Sequence, residues 1–471
     1  MKKVLIITYY WPPSGGAGVQ RWLKFVKYLH EFGWEPIVYT PENPEAPAID
    51  NSLLKDIPAN LIVLKTKIWE PYNLYKSFIG QKKEDKINAG FLTEKKKPGL
   101  AEKISVWIRG NWFIPDARKF WIKPSVEFLS EYLKKNSVDA IVSTGPPHSM
   151  HLIALGLKEK LNNMPSGSQV PWLADFRDPW TNIDFYDKLM LTKSSDEKHR
   201  QLEKEVLKNA DSVVAVGWKM AEDFKKIVDR NIEVITNGYD EDDFPISPLP
   251  VRQAGLSPLL EEKGTTSPLA PLPEERGAKD KLDKNFSISH IGAMNADRNP
   301  QLLWAALSEL IQENAGLKND LKINFVGKTD FSVFDDWEKH NLMPFVIKTD
   351  YLPHNKITEV MQTSRVLLLA INNTPNSAGV ISGKLFEYLA AKRPILAIGP
   401  ENGDAARIIH ETNSGTVIDF RDKEKMKKEI LRTYLLYKEE KLNIAGARIE
   451  KYSRKNLTEA ISHSLNLIIK K

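Results

Sequence analysis

The chain has 471 residues, of which 42% are hydrophobic, with a formal net charge of +6 and no cysteine. That length exceeds one ordinary domain, so two large domains are expected, each with enough apolar residues for its own core. The absence of cysteine excludes disulfides and thiolate metal sites and fits a reducing cytoplasm, and a mildly basic balance over this length is no nucleic-acid footprint.

The opening MKKVLIITYYWPP has too short an apolar run for a secretory signal and stops at Trp11-Pro12-Pro13, so it reads as a buried first strand. No apolar stretch reaches the length of a membrane span. Residues 4–8 form that strand, a small-residue turn follows at 14–18, and apolar positions at helical spacing run from 19 to 32, ended by Gly33. A second strand at 35–40 completes a βαβ unit, which dictates a parallel sheet. Further strands are expected at 140–143, 170–174, 213–216 and 233–236.

Residues 66–125 interrupt this rhythm with a lysine-rich run (Lys82 to Lys97) among many aromatics, and read as an insertion in the first domain. That insertion is either a membrane-surface patch or a solvated flap packed on the domain. The flap is favoured, because no clean amphipathic helix stands out. Residues 245–283 are rich in proline without a usable period and read as a flexible linker or insertion. A second α/β half follows, with strands at 287–291, 322–326, 366–370, 395–398 and 416–418, and a lysine-rich helical tail after 422.

The chemistry-bearing residues fall after strands. Gly15, Gly16 and Gly18 depart from the dinucleotide fingerprint, and 35–40 ends without its acidic partner, which excludes a nicotinamide or flavin reading. Such a loop still lets a substrate approach the backbone. His148, in the first turn of the helix that follows 140–143, could hydrogen-bond a sugar hydroxyl or a leaving phosphate, or else pack within the helix. Asp175, Arg177 and Asp178 crowd three charges at the end of a strand, costly unless paired or used. Arg177 could pair with a substrate's anionic group or brace the two carboxylates, and Asp178 could orient a substrate hydroxyl; a structural Arg–Asp network is the other reading. In the second half, Gly383 and Lys384 stand at a helix entrance, where free N–H groups favour anions, and Glu387 follows one turn later. A carboxylate there can accept two bonds from a sugar diol, so the set suits a nucleotide with a ribose and a diphosphate. No Asp-x-Asp metal motif follows a strand, and the acidic turn Asp240, Asp242, Asp243 lies at the domain junction.

The segments GVISGKLFEYLAAKRPILAIG (379–399) and ADFRDPW (174–180) resemble family 4 glycosyltransferases of the GT-B fold, the second segment a subset of them. The resemblance spans nearly the whole chain apart from 66–125 and 245–283. It implies an α/β fold of two doubly wound Rossmann-like domains facing each other across a cleft. Residues 1–244 would be the acceptor side, 284–450 the nucleotide-sugar side, and 451–471 a helix able to cross back to the first domain. Glu387 would hold the ribose, Arg298 (a lysine in most members) and Lys384 would clamp the diphosphate, and Gly292 and Gly383 would line the donor. Three positions depart from the pattern: Gly379 replaces a glutamate that contacts the donor sugar, Ala293 replaces an arginine, and Thr144 replaces a histidine, for which His148 is the shifted candidate. The implied activity is retaining transfer of a hexose from a UDP- or GDP-linked sugar to a saccharide or lipid-linked acceptor in envelope or exopolysaccharide synthesis. No cofactor, metal or nucleic acid is expected, and the location is cytoplasmic, with peripheral contact at the inner membrane surface. A nucleotide-sugar epimerase or hydrolase, and a catalytically degenerate sugar-nucleotide binder, stay open.

Overall fold

The structure, a computed structural model, describes residues 1–46, 48–71, 100–163, 169–244, 282–350, 352, 354–443 and 446–470. The lysine run 82–97 and nearly all of the proline-rich stretch 245–283 lie outside these residues.

The first domain carries a seven-stranded sheet: β1 (Lys2–Ile7), β2 (Trp34–Pro41), β3 (Ile62–Thr66), β4 (Ala140–Gly145), β5 (Trp172–Phe176), β6 (Ser212–Ala215) and β7 (Glu233–Val234). Its spatial order is β3-β2-β1-β4-β5-β6-β7. The second carries six: β8 (Phe286–Ile291), β9 (Leu321–Val326), β10 (Val346–Thr349), β11 (Val366–Ala370), β12 (Ile395–Ile398) and β13 (Gly415–Ile418), ordered β10-β9-β8-β11-β12-β13. Every neighbouring pair is parallel. Helices cover both faces, which is why central strands such as Val4–Ile7 are wholly buried and read as unbroken apolar runs.

Each sheet reverses its winding once, between β1 and β4 and between β8 and β11. Ligands of doubly wound sheets sit beyond the carboxyl ends of the strands at that reversal. The loops there are 8–16, 146–148, 292–298 and 371–382; they hold Gly15, Gly16, His148, Gly292 and Arg298, and the last of them leads into Gly383 and Lys384.

The last helix, Arg454–Ile468, belongs to the first domain's core. Leu457, Ile461, Leu465 and Ile468 share a cluster with Val19, Trp22 and Phe25 of helix Ala17–Leu29. Burying such a side chain stabilises by roughly 1.5–3 kcal/mol, so this helix is firmly seated. The chain crosses beside the first junction: Tyr239 N donates to Tyr452 O at 3.1 Å, and Arg454 N donates to Tyr239 O at 2.7 Å.

Two strands escape the sequence pattern. β3 and β10 are half-exposed edges, broken by Lys65 and Lys348, so neither shows an apolar run. The stretch 66–125 is also not wholly an insertion. Helix Lys119–Lys135 begins inside it, and Trp121 is 1% exposed, stacked on Tyr39 with centroids 4.8 Å apart.

Candidate functional site

Helix Gly383–Ala391 follows the β11 loop, and the Ser382 hydroxyl caps it by accepting from Lys384 N at 3.3 Å. A Cβ at Gly383 would meet nothing within 4 Å, so the helix entrance is open ground. Lys384 Nζ lies 2.9 Å from Glu387 Oε2, and the two side chains keep 32% and 21% of their surface. The pair is therefore half-buried at the site and is not a freely solvated one. A Cβ at Gly292 would lie 3.6 Å from Lys384 Cε, so the lysine stem passes over the β8 loop. That loop and the one after β9 need their glycines: Gly292 has φ 121°, Gly327 has φ 129°, and a Cβ on Gly327 would be 2.5 Å from Gly292 O.

Arg298 ends the same loop. Its Nε donates to Asn372 Oδ1 at 2.9 Å and its Nη1 to Ala293 O at 2.9 Å. Burial lowers the guanidinium from its ordinary value, and Asp184 of the first domain opposes this. Behind it, burial takes the His290 imidazole down to about 4, with the charges of Arg298 and Lys384 pushing the same way. Both cations thus surround the carboxyl end of β8, and His290 is neutral.

The first domain's charges are arranged differently from the sequence expectation. Asp175 is fully buried and pairs with Arg21 of helix Ala17–Leu29, Nη2 to Oδ1 at 2.8 Å. Trp22 Nε1 (2.7 Å) and Thr144 Oγ1 (2.8 Å) complete its shell. Burial raises this carboxyl, but the Arg21 charge and these bonds outweigh it and hold it below the usual range. Thr144, the position at which the resemblance leads one to expect a histidine, is thus spent on Asp175. Arg177 does not brace the two carboxylates. It donates to Gly18 O at 2.6 Å and to Pro146 O, tying the loops after β1 and β4 together. A Cβ on Gly18 would lie 3.0 Å from Arg177 Nη1 and 3.0 Å from the Tyr10 ring. Gly15 N is bound to Ala48 O at 2.8 Å, while Gly16, with φ 98°, is exposed.

Asp178 retains open surface, yet protein around it thins the water. Its carboxyl is raised to about 6, with Arg177 pulling it down and Asp184 pushing it up. His148 is only 8% exposed and stacks on Trp180 with centroids 4.7 Å apart; burial holds it well below its ordinary value, so it is neutral. His151 faces the core, its Nδ1 2.8 Å from Ser143 Oγ. A cavity of about 250 Å³ lies beside the Gly15 loop, lined by residues including Trp11, Ser14, Thr40, Asn43 and Lys65. Among the described residues no cluster of three or more His, Cys, Asp or Glu side chains could hold a metal.

The two halves meet through residues that the sequence did not single out. Asp184 accepts from Asn372 Nδ2 at 3.2 Å and from Asn376 Nδ2 at 3.3 Å. Asn372 also holds Arg298, so Asp184 fixes that arginine through one intermediary. Asp404 accepts from Lys219 N at 3.0 Å at the start of helix Trp218–Ile227, and Arg407 stands 4.1 Å over the Trp218 ring. Gly379 is packed here, since its Cβ would lie 3.1 Å from Lys219 Cβ. No local pattern marks Asp184 or Asn372. Asp404 carries a weak one, an acidic residue opening a helix.

The overall arrangement is similar to that of several solved proteins. Sucrose-phosphate synthase from Thermosynechococcus elongatus has a TM-score of 0.56 at 13% identity, covering 100% of this chain and 98% of that one. Anabaena Alr3699/HepE in complex with UDP-glucose gives 0.57 at 11%, over 99% and 100%. The α,α-trehalose 6-phosphate synthase of Burkholderia multivorans gives 0.56 at 11%, over 99% and 98%. No curated protein matches the chain in sequence. Residues 285–435, the stretch that holds Arg298, Lys384 and Glu387, match the family model described as glycosyl transferases group 1. Across its second domain, then, the chain matches the glycosyl transferases group 1, and its two domains together have the GT-B fold.

Proposed function

We propose that the chain is a retaining glycosyltransferase that moves a hexose from a UDP- or GDP-linked donor to a saccharide or lipid-linked acceptor, in envelope or exopolysaccharide synthesis on the cytoplasmic side of the membrane. The observation that carries this is the convergence of Arg298, the half-buried Lys384–Glu387 pair and the open helix entrance at Gly383 on one switch point. Two cations and the amino-terminal end of a helix match a diphosphate, and a carboxylate one turn on matches a ribose diol.

In this reading Arg298, Lys384 and the helix N–H groups stabilise charge on the departing diphosphate. Glu387 anchors the ribose, displacing Lys384 in part. Asp178, exposed on the facing domain with a carboxyl near 6, orients the acceptor hydroxyl on the same face as the leaving group. His148, neutral and stacked on Trp180, offers an imidazole to a sugar hydroxyl or the leaving phosphate. No metal takes part. The packing of Gly379 on Lys219 favours a second reading, a donor-binding homologue without transfer, because that packing fills the place of a sugar-side carboxylate.

Calorimetry with UDP- and GDP-sugars, followed by turnover with and without acceptor, separates the readings. Transfer supports ours, nucleotide release without acceptor points to an epimerase or hydrolase, and tight binding with no turnover to the degenerate form. Glu387→Ala should weaken donor binding by about 1–3 kcal/mol, the cost of a lost buried hydrogen-bonding partner. An unchanged Kd would remove the ribose assignment.

A further inference from the structure

We propose that the exposed face of the first domain centred on Trp69, Trp112 and Phe120 is a docking surface for an anionic lipid bilayer. Trp112 is 67% exposed, Trp69 56% and Phe120 43%. Trp69 and Phe120 stand edge to face at 4.9 Å, Phe113 lies 6.1 Å from Phe120, and Trp112 precedes Phe113 and is linked to Phe120 through Lys119. Ile104 and Trp107, on the neighbouring helix Leu100–Trp112, are also exposed. An exposed contiguous apolar patch of this kind marks an interaction surface.

The charge around the patch selects the occupant. Lys119 Nζ lies 5.5 Å over the Phe120 ring and donates to Trp112 O at 2.6 Å, and Lys65, Lys67 and Lys123 are exposed nearby. The local carboxylates are largely spent inward. Glu70 pairs with Arg118 at 3.0 Å and accepts from Tyr9, and Asp116 accepts from Ser149 N and Oγ. Glu127 and Glu131, one and two turns past Lys123, are exposed acids on this helix face, and the second is paired with Lys134 at 2.6 Å. Aromatic rings interleaved with lysines suit the headgroup layer, where the ring is half-wetted and the ammonium meets lipid phosphate. A protein partner with an apolar face would leave these lysines without complement.

The patch also stands close to the cleft. Asn111 of the same helix donates to Met190 O at 3.2 Å and accepts from Thr192 N at 2.7 Å. That segment carries Lys188, which meets Asp297 of the second domain at 3.4 Å. A bilayer on this face would lie beside the interdomain opening. The surface is independent of which sugar is moved, since binding to lipid is read without donor or acceptor.

Cosedimentation of the full chain with phosphatidylcholine vesicles, with and without phosphatidylglycerol, tests this. The full chain should pellet with the anionic vesicles, remain in solution with the neutral ones, and detach as salt rises. Trp69→Ala/Trp112→Ala/Phe120→Ala should lower partitioning more than about tenfold, from lost apolar burial. Lys67→Glu/Lys119→Glu/Lys123→Glu should lower it by at least about 100-fold. Both variants alter exposed side chains, and thermal melting checks that each folds; donor binding should be unchanged in both. Absence of binding by the full chain, equal binding to neutral vesicles, or undiminished pelleting of the folded aromatic variant would each overturn the proposal.

Discussion

Gly18 and Gly383 show how one residue type serves two ends. At Gly18 any side chain would run into Arg177 and Tyr10 at 3.0 Å, so the glycine is demanded by packing. At Gly383 there is room for a methyl group and no positive φ, so packing gives no reason for glycine. If a diphosphate approaches that backbone, Gly383→Ala should leave urea stability unchanged or raise it by up to about 1 kcal/mol through helix propensity, while weakening donor binding in calorimetry. Equal donor affinity would locate the phosphates elsewhere. Asp178 gives a pH test. Its carboxyl, raised from 3.8 to about 6, holds its proton more tightly in the folded chain than in the unfolded one. Folding is therefore favoured by protonation, and the ionised carboxylate is a cost fully present above about 6 that fades on acidification towards 3.8. Asp178→Asn should raise the melting temperature at pH 8 and lose that advantage by pH 4. Wild-type turnover should rise through about pH 6 if the carboxylate is the form that orients the acceptor.

Between elements, the buried Arg21–Asp175 pair joins helix Ala17–Leu29 to the end of β5 and, through Arg21 Nη1 to Thr236 O at 2.6 Å, to the junction after β7. Asp175→Asn should cost about 3–5 kcal/mol in urea unfolding, because it strands a guanidinium in a dry interior. A loss under 1 kcal/mol would mean that water reaches the pair. This scale also shows what a chain of letters reveals. The central strands were legible because burial on both faces removes polar residues, as in 366–370 and 395–398, whose bounds agree with β11 and β12. The site's second-domain half was legible because Gly383, Lys384 and Glu387 lie within one turn. The pairing of Arg21 with Asp175 was not, since its partners lie 154 residues apart and the nearest cation to Asp175 in the sequence is Arg177. The positions of Arg21 and Lys24 among Trp22, Phe25 and Val26 were the available hint: charges set close to the apolar stripe of a helix need buried partners, and Lys24 has Asp56 and Asp240.

For the whole molecule, bridges hold the halves together on the cleft side, and two of those among the described residues rest on the carboxylates of Asp184 and Asp404. Asp184 reaches Asn372 and Asn376, and Asp404 caps the helix of the opposite domain. Asp404→Ala should remove a helix cap worth about 0.5–2 kcal/mol and shift the molecule towards open forms, seen as a larger radius of gyration by small-angle scattering. An unchanged radius would show that the remaining contacts suffice. The chain also passes between the halves twice, side by side, at Tyr239 and at Tyr452–Arg454. A door hung on two pins swings about one axis and resists torsion, so any gaping of this protein should be a rotation with a fixed direction. The closing helix sits on the lobe in which the polypeptide began, Lys2 Nζ reaching Asn466 Oδ1 at 2.6 Å. Trimming the carboxy terminus would therefore loosen the amino-terminal lobe, on the far side of the pivot from the sheet that precedes it in sequence.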